Sequence, residues 1–149
     1  MTAEELLERY AAGERDFNRI EVDGSDELVG SDLSGINLSG AILAEMMLDR
    51  INLSHANLRD THFGQASLYE SNLQGADLSG ASLDLATLDN ADLTNAKLIE
   101  ASLEGTSMAG VNFTGSNLTG AKISTEPYFI GSIFHKTIMP NGNIRTETT

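Results

Sequence analysis

The chain repeats a five-residue pattern of apolar and polar positions. From Leu28 to Ile138 every fifth residue is apolar, and most of these residues are leucine. A second series lies two residues earlier and consists mostly of Ala, Ser or Thr. A period of five fits neither the helical period of 3.6 residues nor the strand period of two. The pattern therefore predicts a backbone that turns a corner every five residues.

Four such corners close a square coil of about twenty residues, and residues twenty apart stack in columns. The large and the small residue of each repeat face inward, and the other three face water. This register places the following residues in the core: Leu33, Leu53, Leu73, Leu78, Leu93, Ala76, Ala81 and Ala96. The inward series ends on Tyr128, Ile133 and Ile138. Because stacked backbones pair about 4.8 Å apart, about six coils would form a rod on the order of 29 Å long.

The repeats also resemble a known family. The segments AlaAspLeuSerGly (76–80) and AlaAspLeuThrAsn (91–95) resemble the Ala-(Asp/Asn)-Leu-x-x consensus of pentapeptide-repeat proteins. The resemblance covers about 110 residues, and the two ends resemble those of short bacterial, especially cyanobacterial, members. It implies an all-β solenoid, a right-handed quadrilateral β-helix, and the handedness comes from the family alone. We expect one domain over residues 1–149.

Corner residues fall into two groups. Glycine or asparagine often lies two residues after the central leucine, where a type II turn requires a positive φ. Other corners carry larger residues in that position, and these predict a second turn type. They are Glu45, Arg50, Asp60, Gln65, Glu70, Leu85 and Glu100.

Residues 1–13 predict a short N-terminal α-helical cap. Thr2 and Glu5 form a capping box, and Gly13 ends the helix. Leu6, Leu7, Tyr10 and Ala11 would form its apolar face. The spacing of six between Val22 and Leu28 predicts one extra residue in the first coil.

The C-terminal end of the repeat is irregular. The coils are expected over residues 14–140, degenerate after 125, followed by a tail at 141–149 that is expected to be frayed from 143 on. In this register Glu126 and Lys136 fit inward positions badly, and Phe129 and Phe134 point outward. The last coil is therefore expected to fold over itself as a cap.

Composition excludes several partners. The chain has 22 acidic and 9 basic residues, a net charge of −13. Such a chain lacks the basic stripe that binds nucleic acid and is repelled by anionic membranes, so it suits a soluble protein, or one whose partner is basic. There is no cysteine, no apolar leader in 1–13 and no apolar run long enough to span a bilayer. The expected compartment is the cytoplasm.

The sequence contains no recognisable catalytic, cofactor or metal motif. His55, His62 and His135 occupy outward positions in different parts of the chain. The leucine-filled interior leaves no room for a substrate pocket. We therefore expect no enzyme activity, no cofactor and no metal site.

Some outward positions form a candidate protein-contact surface. Its residues are Ile42, Met47, Asp49, Tyr69, Leu85 and Asp89. One interpretation is an acidic and apolar binding strip. The other is that the N-terminal segment covers Ile42 and Met47 and that the remaining residues are scattered singles.

The leading functional hypothesis is a non-enzymatic scaffold that binds a protein, as regulatory members of the resembled family do. The alternative is an acidic DNA mimic that interacts with a type II topoisomerase or another DNA-binding protein. Family members of that kind are longer and carry loop insertions, which this chain lacks between Leu28 and Ile138. A monomer or an end-to-end dimer is expected.

Overall fold

A computed structural model describes residues 1–124 and 129–148, so Glu126 and Tyr128 lie outside the described residues. It contains one helix and four short strands. These are α1 (Ala3–Ala11), β1 (Ser102–Leu103), β2 (Lys122–Ile123), β3 (Ile133–Ile138) and β4 (Ile144–Thr148). Outside these strands the extended stretches form single-residue parallel bridges, because each of them soon reaches a corner.

The coils stack at an interval of twenty residues. Asn52 bridges Asn72, and Asn72 bridges Asp92, each in parallel. The Leu53 amide donates to the Asn72 carbonyl at 2.8 Å, and the Asn72 amide donates to the Ile51 carbonyl at 2.9 Å. Each extended stretch therefore pairs with the coils before and after it, which satisfies its backbone polar groups.

Each coil has four sides, which we number as faces 1 to 4 by the outward residue at the middle of each side. Face 1 carries Asp32, Asn52, Asn72, Asp92 and Asn112. Face 2 carries Asn37, Asn57, Asp77, Lys97 and Asn117. Face 3 carries Ile42, His62, Ser82, Ser102 and Lys122. Face 4 carries Met47, Ser67, Thr87 and Ser107. Because the faces follow one another around the square, face 2 lies opposite face 4; a corner is named by the two faces that it joins.

The interior is a stack of apolar side chains. The structure leaves each of the expected core residues at most 1% exposed: Leu33, Leu53, Leu73, Leu78, Leu93, Ala76, Ala81 and Ala96. Where threonine replaces the small alanine, its hydroxyl finds a carbonyl. Thr61 donates to Leu38 at 2.8 Å and Thr106 donates to Leu83 at 2.7 Å. The buried hydroxyls of these threonines are therefore hydrogen-bonded, as buried polar groups usually are.

The prediction of a second turn type is wrong. The larger corner residues have φ values of 55° to 62°, in the same left-handed region as the corner glycines. They are Glu45, Arg50, Asp60, Gln65, Glu70, Leu85 and Glu100. At the Arg50 corner the Ile51 amide donates to the Leu48 carbonyl at 3.1 Å, the hydrogen bond of a type II turn. Arg50 keeps its positive φ because its own amide donates to the Tyr69 carbonyl of the next coil at 2.8 Å.

Helix α1 caps the N-terminal end of the rod. The Thr2 hydroxyl accepts from the Glu5 amide at 3.1 Å, and Gly13 follows the helix with a φ of 100°. Ala3 and Leu6 are buried in the core. Ala11, predicted on the apolar face, is exposed, so the packed side of the helix is rotated away from it.

The first coil contains the predicted extra residue. Asp16 bridges Asn37 and Glu21 bridges Ile42, an interval of twenty-one residues. Phe17 is buried like the central leucines of later coils.

The C-terminal coil differs from the prediction. Phe129 and Phe134 are buried and pack on Phe113, with ring centroids 5.8 Å and 5.3 Å away. Asn112 bridges Ile133, again at an interval of twenty-one residues. The register has therefore advanced by one, so Phe134 takes the inward position and Ile133 is 40% exposed. The exposed Lys136 lies at a corner with a φ of 50°, not in an inward position.

Residues 144–148, expected to be frayed, form a strand. Strand β4 pairs antiparallel with β3, with Thr137 opposite Arg145 and Ile138 opposite Ile144. The Arg145 guanidinium lies 4.0 Å from the centroid of the Phe134 ring. The last strand thus covers the aromatic end of the core.

Candidate protein-contact surface

Asp49, Tyr69 and Asp89 form one column along corner 4/1. The Arg50 amide donates to the Tyr69 carbonyl at 2.8 Å, and the Glu70 amide donates to the Asp89 carbonyl at 3.0 Å. The three residues therefore occupy the same corner on successive coils, about 4.8 Å apart.

Three apolar side chains of the candidate surface lie in solvent. Ile42 is 43% exposed, Met47 is 47% exposed and Leu85 is 63% exposed. The interpretation that the N-terminal segment covers Ile42 and Met47 is wrong. The first coil pairs with the backbones of these two residues and leaves their side chains outside. The Ile42 amide donates to the Ile20 carbonyl at 2.8 Å, and the Met47 amide donates to the Ser25 carbonyl at 3.1 Å.

The residues are not all on one side of the rod. Met47 lies on face 4, Leu85 lies at corner 3/4, and the Asp49 column lies at corner 4/1. We call face 4 with these two corners the face-4 surface. Ile42 lies beyond it, on face 3.

Acidic residues line both edges of the face-4 surface. Corner 3/4 carries Glu45, Asp84 and Glu104, and corner 4/1 carries Asp49, Glu70 and Asp89. Arg50 is the one basic residue at these two corners between residues 41 and 110. The middle of face 4 is small and hydroxylated at Ser67, Thr87 and Ser107. The surface therefore combines negative edges with Met47, Tyr69 and Leu85.

Charge also varies along the rod. Residues 1–93 carry 18 acidic and 5 basic residues, whereas residues 94–149 carry four of each. All of the net charge of −13 thus belongs to the N-terminal part.

The aspartates of the surface also have structural bonds. The Asp89 carboxylate accepts from the Ser107 hydroxyl at 2.6 Å and from the Ala109 amide at 2.9 Å. Asp49 accepts in the same way from the Ser67 hydroxyl of the next coil. These carboxylates are held against face 4, so replacing them perturbs the fold as well as the charge.

Faces 1 and 2 satisfy the corner amides differently. There an Asn or Asp on the face accepts from the amide two residues on, as Asn52 does from Ser54 at 3.1 Å. Face 4 has no such side chain at Ser107, and Asp89 of the preceding coil supplies the acceptor instead. The serine hydroxyl donates to the same carboxylate, and this second bond has a sequence signal, an Asp followed eighteen residues later by Ser: Asp49 and Ser67, Asp84 and Ser102, Asp89 and Ser107.

These amide bonds also shift pKa values on faces 1 and 2. The backbone amide of Ser34 lowers the pKa of Asp32 below its ordinary value of 3.8. Burial would raise the pKa of Asp77, but hydrogen bonds from Ser79 and the Arg59 guanidinium at 3.3 Å outweigh it and lower the pKa. Both carboxylates are therefore held in the ionised form.

The chemistry of the surface is otherwise simple. His55, His62 and His135 are exposed and lie apart, at corner 1/2, on face 3 and in the C-terminal coil. In residues 1–124 and 129–148 no three His, Asp or Glu side chains are placed to hold a metal ion. No helix in the same residues is long and apolar enough to cross a membrane. Surface depressions, such as one of about 330 Å³ between Arg59 and Glu100, lie between corner side chains.

The family model described as pentapeptide repeats (8 copies) matches two stretches, residues 48–84 and 86–124, about half of the chain. The chain belongs to the pentapeptide-repeat family. Membership implies that this pentapeptide-repeat protein is a right-handed quadrilateral β-helix.

Solved structures include several proteins similar to this pentapeptide-repeat protein. A pentapeptide repeat protein from the thylakoid lumen of Arabidopsis thaliana is 36% identical over 70% of this chain and 75% of its own, with a TM-score of 0.66. One from the cyanobacterium Nostoc is 35% identical over 83% of this chain and 96% of its own, with a TM-score of 0.43. QnrB1, a plasmid-mediated fluoroquinolone resistance protein, is 19% identical over 79% and 69%, with a TM-score of 0.40. No curated protein matches the chain.

Proposed function

We propose that this pentapeptide-repeat protein is a non-enzymatic scaffold of about six coils that binds a basic protein through its face-4 surface. The observation that carries the proposal is the meeting of exposed apolar side chains and acidic edges on one side of the rod. The opposite side, face 2, is centred on asparagines with Asp77 and Lys97.

The two kinds of side chain have different roles in the proposed contact. Aromatic and large apolar anchors contribute a disproportionate share of interface energy, and Tyr69 and Leu85 are the candidates here. Flanking charges mainly accelerate encounter and select partners of opposite charge. The acidic corners therefore favour a basic partner.

Charge distribution favours this proposal over DNA mimicry. A duplex carries charge evenly along its length, about one negative charge per 1.7 Å. This rod carries its net charge in residues 1–93 and is neutral over residues 94–149. A local acidic contact site fits this distribution better than imitation of a continuous duplex.

The test compares the binding of variants of the face-4 surface with that of control variants at corner 1/2. A partner is captured from a lysate of the source organism on the immobilised wild-type chain, purified, and its dissociation constant is measured. Tyr69→Ala combined with Leu85→Ala should weaken binding about tenfold or more, which corresponds to about 1.4 kcal/mol. The control is Gln74→Ala combined with Thr94→Ala at corner 1/2, which should leave the dissociation constant unchanged.

A second pair of variants tests the charges. Glu45→Lys combined with Glu70→Lys suits this purpose because neither side chain has a hydrogen bond or ion pair to lose within the described residues. The association rate should fall, and fall more at low salt. Asp49 and Asp89 are unsuitable because their carboxylates hold the next coil.

The outcomes separate the hypotheses. Equal loss of binding from the face-4 and control variants, or loss from neither, contradicts the proposal. A DNA mimic predicts that loss follows total negative charge, that Tyr69→Ala has no effect, and that the chain inhibits supercoiling by a type II topoisomerase.

A further inference from the structure

One edge of strand β4, at the C-terminal end of the rod, pairs with no other strand of the described residues. Its other edge pairs with β3, which in turn bridges the preceding coil through Ile133 and Ile138. Within residues 1–124 and 129–148 no further strand pairs with β4. An unpaired strand edge presents backbone donors and acceptors that can accept another strand.

The sequence of β4, Ile-Arg-Thr-Glu-Thr, is complementary to itself in an antiparallel pair. With Thr146 on the twofold axis, Arg145 of one copy lies opposite Glu147 of the other, twice. Opposite charges facing each other across strands stabilise the pairing. The two side chains are already held in position, because Arg145 donates to Glu147 at 2.6 Å and lies over Phe134.

The remaining features of this end also suit a second copy. Ile144 is 71% exposed and lies next to Ile138 across β3 and β4, so pairing would cover apolar surface. The net charge favours this orientation, since residues 94–149 are neutral and residues 1–93 carry −13. Contact between two C-terminal ends keeps the acidic parts of the rods apart.

We propose that two copies of the chain associate through antiparallel pairing of their β4 edges, with Thr146 on the twofold axis. The proposal does not depend on the face-4 surface. A five-residue strand buries less area than a standard interface, so the dimer should be weak and dependent on concentration.

A single cysteine tests this register, because the natural chain has none. Residues directly opposite in an antiparallel pair have Cα atoms about 4.5–5.5 Å apart, within the range of a disulfide. Thr146→Cys should therefore form a disulfide-linked dimer under mild oxidation. Ile144→Cys is the control on the same strand, because the two copies of residue 144 would lie about 14 Å apart. Unlike it, Thr146→Cys changes the hydroxyl that accepts from the Lys136 amide at 3.1 Å, so the stability of both variants must be compared.

The full-length variants are compared on non-reducing gels after their melting temperatures are shown to match. At least tenfold faster cross-linking of Thr146→Cys than of Ile144→Cys supports the proposal. Similar rates, or no cross-linking above that of His55→Cys, at an exposed corner four coils away from His135, overturn it.

A charge variant tests the cross-strand pairs without cysteine. Glu147→Lys places a positive charge opposite Arg145 of the other copy and should lower the association constant about tenfold or more. Glu100→Lys makes the same change far from β4 and should have no effect. Sedimentation velocity measures both. A wild-type chain that stays monomeric up to about 500 µM overturns the proposal.

Discussion

Several corner glycines lie against side chains from the preceding coil. At Gly80 the φ is +72°, and an added Cβ would lie 2.1 Å from Oδ1 of Asp60. At Gly35 the φ is +68°, and an added Cβ would meet nothing within 4 Å. The two glycines have the same backbone conformation and differ in their neighbours. Replacing each by alanine therefore separates the cost of the backbone from the cost of contact between coils.

The expected magnitudes follow from these two costs. A left-handed conformation costs alanine about 1–2 kcal/mol, and the stiffer unfolded chain returns about 0.4–1 kcal/mol. Gly35→Ala should thus lower the free energy of unfolding by about 1 kcal/mol. Gly80→Ala must also push the Asp60 side chain out of its rotamer, which adds about 0.5–1.5 kcal/mol.

Urea unfolding gives the free energies by linear extrapolation. Asp60→Ala removes the obstructing oxygen, so the pair Asp60→Ala and Gly80→Ala should show a favourable coupling of about 0.5–1.5 kcal/mol. Equal costs for Gly35→Ala and Gly80→Ala, with no coupling to Asp60, would refute the reasoning.

Three further predictions test the core, the cap and the charged faces. Leu78→Ala should cost about 2–5 kcal/mol through a cavity, and Ala76→Leu about 1–3 kcal/mol through overpacking; an unchanged melting temperature for Ala76→Leu would show that this position has spare volume. Deletion of residues 1–13 removes buried Ala3 and Leu6 and should cause association by light scattering; a clean monomer would show that α1 is not a cap. The lowered pKa of Asp32 means that its contribution is present above its unfolded pKa and lost as pH falls through the folded value. Asp32→Asn keeps an oxygen that can accept from the Ser34 amide but cannot be protonated in this pH range. The free energy of unfolding of this variant should therefore fall less between about pH 4 and 2 than that of the wild type; the same pH dependence in both would contradict this.

The five-residue period was sufficient to locate most of the core. Only one backbone path buries both the large and the small apolar residue of every repeat, such as Leu78 and Ala76. The inward positions therefore followed from the spacing alone. The C-terminal coil could not be assigned in this way. Ile133 and Ile138 continue the old register while Phe129 and Phe134 begin a new one, and both series are apolar. Burial of the aromatic rings against Phe113 decides between them.

The corners were misjudged because local preference was considered without neighbouring coils. Glu70 alone would avoid a positive φ, but its amide donates to the Asp89 carbonyl, which fixes the corner. The bonds of Asp89 to Ser107 and Ala109 join residues about twenty apart, beyond any local motif. The exposure of the Met47 side chain likewise could not be read from the repeat, because it depends on where the first coil passes over Met47. The repeat thus indicated the candidate surface residues. The hydrogen bonds between coils then show which of these side chains stabilise the fold and which are free to contact a partner.

The central claim, that face 4 is the contact surface, is tested most directly by site-specific photo-cross-linking in the source organism. A photoreactive amino acid is placed at Thr87 in the middle of face 4, or at Lys97 in the middle of the opposite face 2. Neither side chain makes a hydrogen bond or ion pair to another described residue, so the two substitutions are comparable. We predict a cross-linked basic protein from Thr87 and none from Lys97. The same product from both positions, or a product from Lys97 alone, would contradict the account.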